Sequence, residues 1–191
     1  MIWKTIHLVK PLKNHRRTII LTIFFLILYQ MITIRPIRSE EISSAKRVIL
    51  TVAYGIFGWD GTLEDSIRYF EASGEYDDMN NVQTSYSESG GLFLAVLDDD
   101  RVIGCGAIRK LNASTAELKR IWLLEKYHGR GIGVQLANLL LGFARERGYL
   151  RVLLQTSHQQ VRAIGFYKKL GFAEIPSYND QKDAVSMEID I

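Results

Sequence analysis

The stretch from Ala116 to Gln155 constrains the fold more than any other. Ala116–Leu124 reads as a strand, and Gly131–Arg147 as a helix with Ile132, Leu136, Leu139, Leu140, Phe143 and Ala144 on one face. That helix stops at Gly148. Leu150–Gln155 follows as a nearly continuous apolar strand, the pattern expected where both faces are buried. A strand–helix–strand unit of this kind needs a crossover, which places the two strands parallel. Between the first strand and the helix lies Tyr127-His128-Gly129-Arg130-Gly131-Ile132-Gly133, a turn rich in glycine.

The rest of the chain builds outward from that unit. Met31-Ile32-Thr33-Ile34-Arg35-Pro36 alternates apolar and polar residues and reads as a first strand. Ile42, Ala45, Val48, Ile49, Val52, Ala53 and Ile56 give one helical face over Glu40–Phe57, and Gly58 and Gly61 end it. Leu63–Ala72 is a second, short helix. Gly74–Gly91 is polar and reads as a loop. Leu92–Leu97 and Val102–Lys110 form a hairpin around Asp98–Asp100, and a third strand follows a turn at Leu111–Ser114. Val161–Leu170 is a helix ended by Gly171, and Ala184–Ile191 a last strand. The expected class is α/β in the α+β sense: a mixed, mostly antiparallel sheet with flanking helices and one parallel pair.

Composition excludes several functions. A single Cys among 191 residues rules out a disulfide framework and a multi-cysteine zinc or iron–sulfur site. A net charge of +3 gives no reason to expect a nucleic-acid partner. The charge is also uneven. Residues 1–30 carry Lys4, Lys10, Lys13, Arg16 and Arg17 and no acid, so the remainder is net acidic. This leader, a basic start followed by the apolar run Ile19–Tyr29, resembles a signal sequence or a short membrane anchor. A spanning helix needs ~20 apolar residues. Thr18–Ile34 offers 17 only if Gln30 and Thr33 are counted and the first strand is surrendered. Three readings stand side by side: an extension without function ahead of a start at Met31, an anchor through residues 18–34, and a signal peptide. The expected division is an extension at 1–30 and one domain at 31–191.

The chemistry concentrates in the glycine-rich turn. Glycines let the backbone turn sharply and approach a ligand. The first amides of the helix have no intrahelical partners, and with the helix dipole they make an anion site suited to phosphate. A plain strand–helix turn would also be glycine-rich. The dinucleotide pattern Gly-x-Gly-x-x-Gly fails because Val134 stands at the third glycine position, and no Gly-Lys-Ser/Thr completes a P-loop.

With its context, this segment resembles the GNAT superfamily of acetyl-CoA-dependent N-acetyltransferases, over about residues 31–191. That family's phosphate loop reads Gln/Arg-x-x-Gly-x-Gly/Ala; here it is His128-x-x-Gly131-x-Gly133, after the strand Ala116-Glu117-Leu118-Lys119-Arg120-Ile121-Trp122-Leu123. About thirty residues later, Ala163-Ile164-Gly165-Phe166-Tyr167-Lys168-Lys169-Leu170-Gly171-Phe172 is similar to the second signature, a helix bearing a Tyr and ending in Gly-Phe. His128 replaces the usual Gln/Arg, and Gln160 stands where the family has Asn.

The resemblance implies the GNAT-like acyl-CoA N-acyltransferase fold and a set of roles. Amides of Gly129, Arg130, Gly131, Ile132, Gly133 and Val134 would cradle the pyrophosphate of acetyl-CoA, with His128 and Gln160 beside it. The backbone at Ile121 and Leu123 would bind the pantetheine arm like an added strand. Tyr167 would protonate the departing thiolate; a phenol of pKa ~10 suits a thiol of ~8.5. Glu117 would take the amine's proton. The plainer readings are packing for Tyr167 and a salt-bridged strand position for Glu117. Cys105, Trp122 and Phe166 read as core, His158 as a loop residue, and Asp98–Asp100 as a solvated turn. No metal is implied.

The implied activity is acetyl transfer from acetyl-CoA to a primary amine of a small molecule or peptide, with a silent acetyl-CoA sensor and a membrane-tethered enzyme as alternatives. The helices at 40–72 and the loop 74–91 would read the acceptor. Glu71, Glu75, Asp77 and Asp78 would suit a cationic amine, or form a solvated acidic loop. A dimer is left open. A basic cluster before an apolar span keeps the N-terminus inside and would export the domain away from acetyl-CoA, so the expected location is cytoplasmic, with membrane association as the alternative.

Overall fold

The computed structural model describes residues 32–179 and 184–191. The expectations for the leader lie outside the described residues. Among the described residues, no helix is long and apolar enough to cross a membrane.

Seven strands make one sheet: β1 Ile32–Pro36, β2 Leu92–Asp98, β3 Arg101–Lys110, β4 Thr115–Leu123, β5 Arg151–Ser157, β6 Ala173–Ile175 and β7 Ala184–Asp190. Their order is β1-β2-β3-β4-β5-β7-β6. Neighbours are antiparallel except β4 and β5. The parallel pair is the one whose connection runs through a helix, as a crossover requires. The helices are α1 Ile42–Phe57, α2 Leu63–Ala72, α3 Asp77–Asn80, α4 Ile132–Glu146 and α5 Val161–Lys169. The expected mixed, mostly antiparallel sheet with flanking helices is observed.

Each face of the sheet holds a core. Under α4 and α5 lie Ala116, Leu118, Leu136, Leu140, Val152, Leu154, Tyr167 and Met187. Under α1 and the segment after α2 lie Ala45, Ile49, Tyr76, Met79, Tyr86, Phe93 and Cys105. Strand β2 is covered on both sides, and all seven of its residues are buried.

Three expectations need correction. Residues 74–91 are not a plain polar loop. They form α3 and then a wide turn in which the Glu88 N–H donates to the Gln83 carbonyl, and they bury Tyr76, Met79 and Tyr86 against the second core. The segment is structured because three large apolar side chains leave water there. Leu150–Gln155 is not covered on both faces: Leu150 lies before the strand and is 65% exposed, and Leu153 and Gln155 are half-buried while Val152 and Leu154 are buried. Strand β6 went unexpected; three residues are too few to show periodicity.

Candidate active site

Strand β4 slips by one residue where it crosses β3. Cys105 faces Trp122 and Ala107 faces Lys119, so Arg120 and Ile121 together oppose Gly106. This is a β-bulge, and Arg120 adopts a left-handed φ of 56° within it. The slip resets the alternation. Ala116 and Leu118 face the α4 side, and beyond the bulge Ile121 and Leu123 face it again.

At the same point β4 leaves β5. Their parallel pairing runs from Thr115–Arg151 to Leu118–Leu154 and stops, although β4 continues to Leu123 and β5 continues along β7 to Ser157. The two strands form a fork. The Leu124 N–H donates to the Ile103 carbonyl on the β3 side, so the alternate residue Leu123 turns its backbone groups into the fork.

The loop after β4 approaches α4 through two left-handed glycines, Gly129 with φ 73° and Gly131 with φ 80°. A Cβ would meet nothing at either position, so the backbone angle, not crowding, demands glycine. Gly131 caps α4 without a side-chain hydrogen bond, and the first helical bond runs from Gln135 N to Gly131 O. The amides of Ile132, Gly133 and Val134 therefore lack intrahelical acceptors, the arrangement that receives an anion. Gly133 is different: its φ is not left-handed, and a Cβ there would rest 3.6 Å from the Phe166 ring.

His128 faces back into the protein. Its Nε2 donates to the Leu123 carbonyl at 2.9 Å, bracing the loop against the end of β4, and its buried Nδ1 has no partner among the described residues. Arg130 lies over the Tyr127 ring, with its guanidinium carbon 5.3 Å from the centroid, and Lys126 lies 4.9 Å from the same centroid. The Tyr127 hydroxyl in turn donates to Asp98. Asp98 is thus buried and not part of a solvated turn, which corrects that expectation. Its second oxygen has no partner among the described residues.

Tyr167 sits on α5 in the core under α4 and α5, 7% exposed. Its ring meets Phe166 and Phe172 edge-on at 5.3 and 5.8 Å. Burial pushes its phenol above the usual tyrosine range. Its hydroxyl accepts and donates no hydrogen bond among the described residues. The Gln160 carbonyl oxygen accepts from Thr156 Oγ1 at 2.8 Å and Ser157 N at 3.0 Å, so the side chain ties the end of β5 to the start of α5.

Glu117 lies on the opposite face, since it alternates with Ala116 and Leu118. It is 5% exposed, and its carboxylate accepts from Arg109 Nε at 2.6 Å and Tyr178 Oη at 2.8 Å. Its partner is the cross-strand Arg109, not the neighbouring Lys119 or Arg120. Burial holds the Lys119 amine below the usual lysine range. Arg120 pairs with Asp78 instead, at 2.7 Å. The acidic set expected near the acceptor is therefore split: Asp78 is spent on Arg120, and Glu71, Glu75 and Asp77 are exposed. Sequence reasoning missed Tyr178, Asp78 and Asp98 as structural members of the site, because each meets its partner from 29 residues away or more. Among the described residues, no cluster of three His, Cys, Asp or Glu could hold a metal.

A forked parallel pair beside an open helix N-terminus defines the class. The profile of the Acetyltransferase (GNAT) family matches residues 59–172, more than half of the chain, and the chain belongs to that family. It is 35% identical over 101 residues to N-acetyltransferase 8B of Homo sapiens, across 50% of this chain and 44% of that protein. It is 32% identical over 110 residues to the uncharacterized N-acetyltransferase YjgM of Escherichia coli, across 56% of this chain and 64% of that protein. The chain thus spans about half the length of these curated relatives. Among solved structures, an acetyltransferase from Streptococcus agalactiae superposes with a TM-score of 0.72 at 21% identity, covering 85% of this chain and 100% of that one. The PaiA N-acetyltransferase from Thermoplasma acidophilum, solved in complex with coenzyme A, gives 0.69 at 23% identity, covering 84% and 99%. At these identities the likeness shows the fold.

Proposed function

We propose that the protein transfers an acetyl group from acetyl-CoA to a primary amine of a small molecule or peptide, by direct attack within a ternary complex. The observation that carries this reading is the fork. Where β4 and β5 part, the Ile121 backbone and the Leu123 N–H have no β5 partner and can bind an extended arm as a third strand, while the Leu123 carbonyl already accepts from His128. The fork also opens toward the amides of α4, which suit a pyrophosphate. The coenzyme A complex of a protein with the same fold supports acetyl-CoA as the donor.

In this reading Gly129, Arg130, Gly131, Ile132, Gly133 and Val134 hold the pyrophosphate through main-chain amides. His128 and Gln160 act one step back, by fixing the loop and the β5–α5 turn. The acceptor enters from the face that carries Glu117, Arg109 and Tyr178. A bond forms between the amine nitrogen and the acetyl carbon, and the carbon–sulfur bond breaks. The amine must shed a proton, and Glu117, whose two oxygens each accept one hydrogen bond, receives it directly or through a water. The thiolate gains a proton from Tyr167, which burial keeps protonated at neutral pH. The reading places the domain in the cytoplasm, with the acetyl-CoA pool; a tether through residues 18–30 is the alternative.

The test is an acceptor screen that follows free thiol release from acetyl-CoA with amino acids, polyamines, aminoglycosides and peptides. Amine-dependent thiol release is the expected result. Tight acetyl-CoA binding with no turnover of any amine would favour a silent sensor instead.

A further inference from the structure

A left-handed residue that is not glycine persists only where its surroundings hold it. Arg120 is such a residue, inside the strand that makes the fork. Its side chain crosses to the segment after α2 and is gripped there at several points. Nη2 donates to Asp78 Oδ1 at 2.7 Å and to the Glu75 carbonyl at 2.7 Å, and Nε donates to Asp78 Oδ2 at 3.2 Å. The guanidinium carbon lies 4.7 Å from the Tyr76 ring centroid. The Tyr86 hydroxyl donates to the same Asp78 carboxylate. Both partners of the ion pair are mostly buried, with side chains 13% and 17% exposed. Its carbonyl accepts from the buried Cys105 Sγ at 3.3 Å, so the main chain is held from the β3 side as well.

We propose that Arg120 is a positioning residue whose ion pair with Asp78 holds the β4 bulge, and with it the fork, in register with the 74–91 segment that bounds the acceptor face. This deepens the acetyltransferase reading and rests on it for the meaning of the fork. The argument runs through two consequences of the geometry. Released from Asp78, an arginine at φ 56° gains by returning to an extended conformation. That return removes the one-residue slip, and removing the slip turns Ile121 and Leu123 away from the α4 side and lets β4 continue along β5. Asp78 also accepts from the Tyr86 hydroxyl, so its loss loosens the segment carrying Tyr76, Met79 and Tyr86 at the same time. Neither residue need touch the donor or the acceptor.

Three single substitutions in the full chain separate the roles. Asp78→Asn keeps the shape and removes the charge, Arg120→Ala removes the clamp but keeps the backbone penalty, and Arg120→Gly removes the clamp and the penalty together. Acetyl-CoA binding is measured by calorimetry, and backbone opening by hydrogen exchange. The clamp predicts that Asp78→Asn and Arg120→Ala weaken acetyl-CoA binding at least ~10-fold, while Arg120→Gly stays within ~3-fold of wild type because glycine keeps the bulge. In all three, exchange speeds up over residues 75–88; in the first two it also speeds up over residues 119–123. If Asp78→Asn does not fold, Arg120→Lys replaces it, since an ammonium cannot reproduce the forked contact. A folded Asp78→Asn protein with faster exchange confined to 75–88 and unchanged acetyl-CoA affinity would overturn the proposal. A wild type that binds no acetyl-CoA would overturn the acetyltransferase reading alone, because coupled exchange at 75–88 and 119–123 still reads the clamp.

Discussion

Replacing Tyr167 with Phe separates chemistry from packing, because the structure assigns the hydroxyl no stabilising bond. The ring is held by Phe166 and Phe172 and keeps those contacts in the variant. Tyr167 is 7% exposed, and its hydroxyl is not among the buried side-chain oxygens left without a partner, so deleting it breaks no bond and relieves no buried unsatisfied group. For a chain of this size Tyr167→Phe should melt within about 2–4 °C of wild type, a change of about 1 kcal/mol. Turnover should fall ~10²-fold if the hydroxyl supplies the thiolate's proton, with the loss in kcat and not in KM for acetyl-CoA. Tyr167→Ala is the contrast: it empties the site between two aromatic rings, costs about 3–5 kcal/mol, and lowers Tm on the order of 10 °C. The pH profile adds a check. Burial raises the phenol, so no alkaline loss of activity should trace to Tyr167 below about pH 10. Thermal melts and steady-state rates on the same preparations decide the matter. A Tyr167→Phe protein with wild-type kcat, or one that melts as early as Tyr167→Ala, would refute the assignment.

The two loop glycines should respond differently. Gly131→Ala is strained by its φ of 80° and should lose about 1 kcal/mol, whereas Gly133→Ala meets only an ordinary contact with Phe166 and should melt near wild type. Glutamate at either position puts charge and bulk against the proposed pyrophosphate, and acetyl-CoA affinity by calorimetry should drop at least ~10-fold. Glu117→Gln should leave acetyl-CoA binding intact and lower kcat/KM ~10²-fold if Glu117 is the base; an unchanged rate would assign it to the Arg109 pair alone. For Asp78, burial opposes ionisation, but the hydrogen bond and charge of Arg120 outweigh it and hold the carboxyl below its ordinary value. The stability from this pair is present above the unfolded value of about 3.9 and is lost as pH falls below it. Asp78→Asn should therefore flatten the acid limb of a denaturation curve below about pH 4.

The elements that carry the site were legible because their periodicity is local. The helical face from Ile132 to Ala144 and the glycines before it can be read in one window. The fork also left a trace. Leu118 and Ile121 both face α4, yet they are three residues apart, with the charged pair Lys119-Arg120 between them. A strict two-residue alternation cannot do that, so the phase slip marks the bulge. Residues 74–91 carried a similar trace in Tyr76, Met79, Val82 and Tyr86, spaced three, three and four apart, but the surrounding acids, serines and glycines masked it. The Asp78–Arg120 and Glu117–Tyr178 contacts left none. They join positions 42 and 61 residues apart, and no local rule pairs such charges.

The slip on β4 also explains a glycine on β3 that serves no turn. Gly106 stands opposite the bulge. A Cβ there would come within 2.5 Å of Ile121 Cδ1 and within 3.0 and 3.1 Å of Leu136 and Leu140. The first distance is shorter than real Cβ contacts and the other two are tight, and two of the three neighbours belong to α4. The missing side chain on β3 is therefore what lets Ile121 turn toward α4 after the slip and lets α4 lie close over the fork. Bulge, glycine and helix form one solution to a single problem: a parallel strand pair must open at one end without exposing its core. On the α4 side, the contacts of Gly106 with Ile121, Leu136 and Leu140 are apolar and non-directional. The other side is fixed by the directional Arg120–Asp78 pair, so the face proposed for the acceptor is the part of the site most exposed to a single charge change.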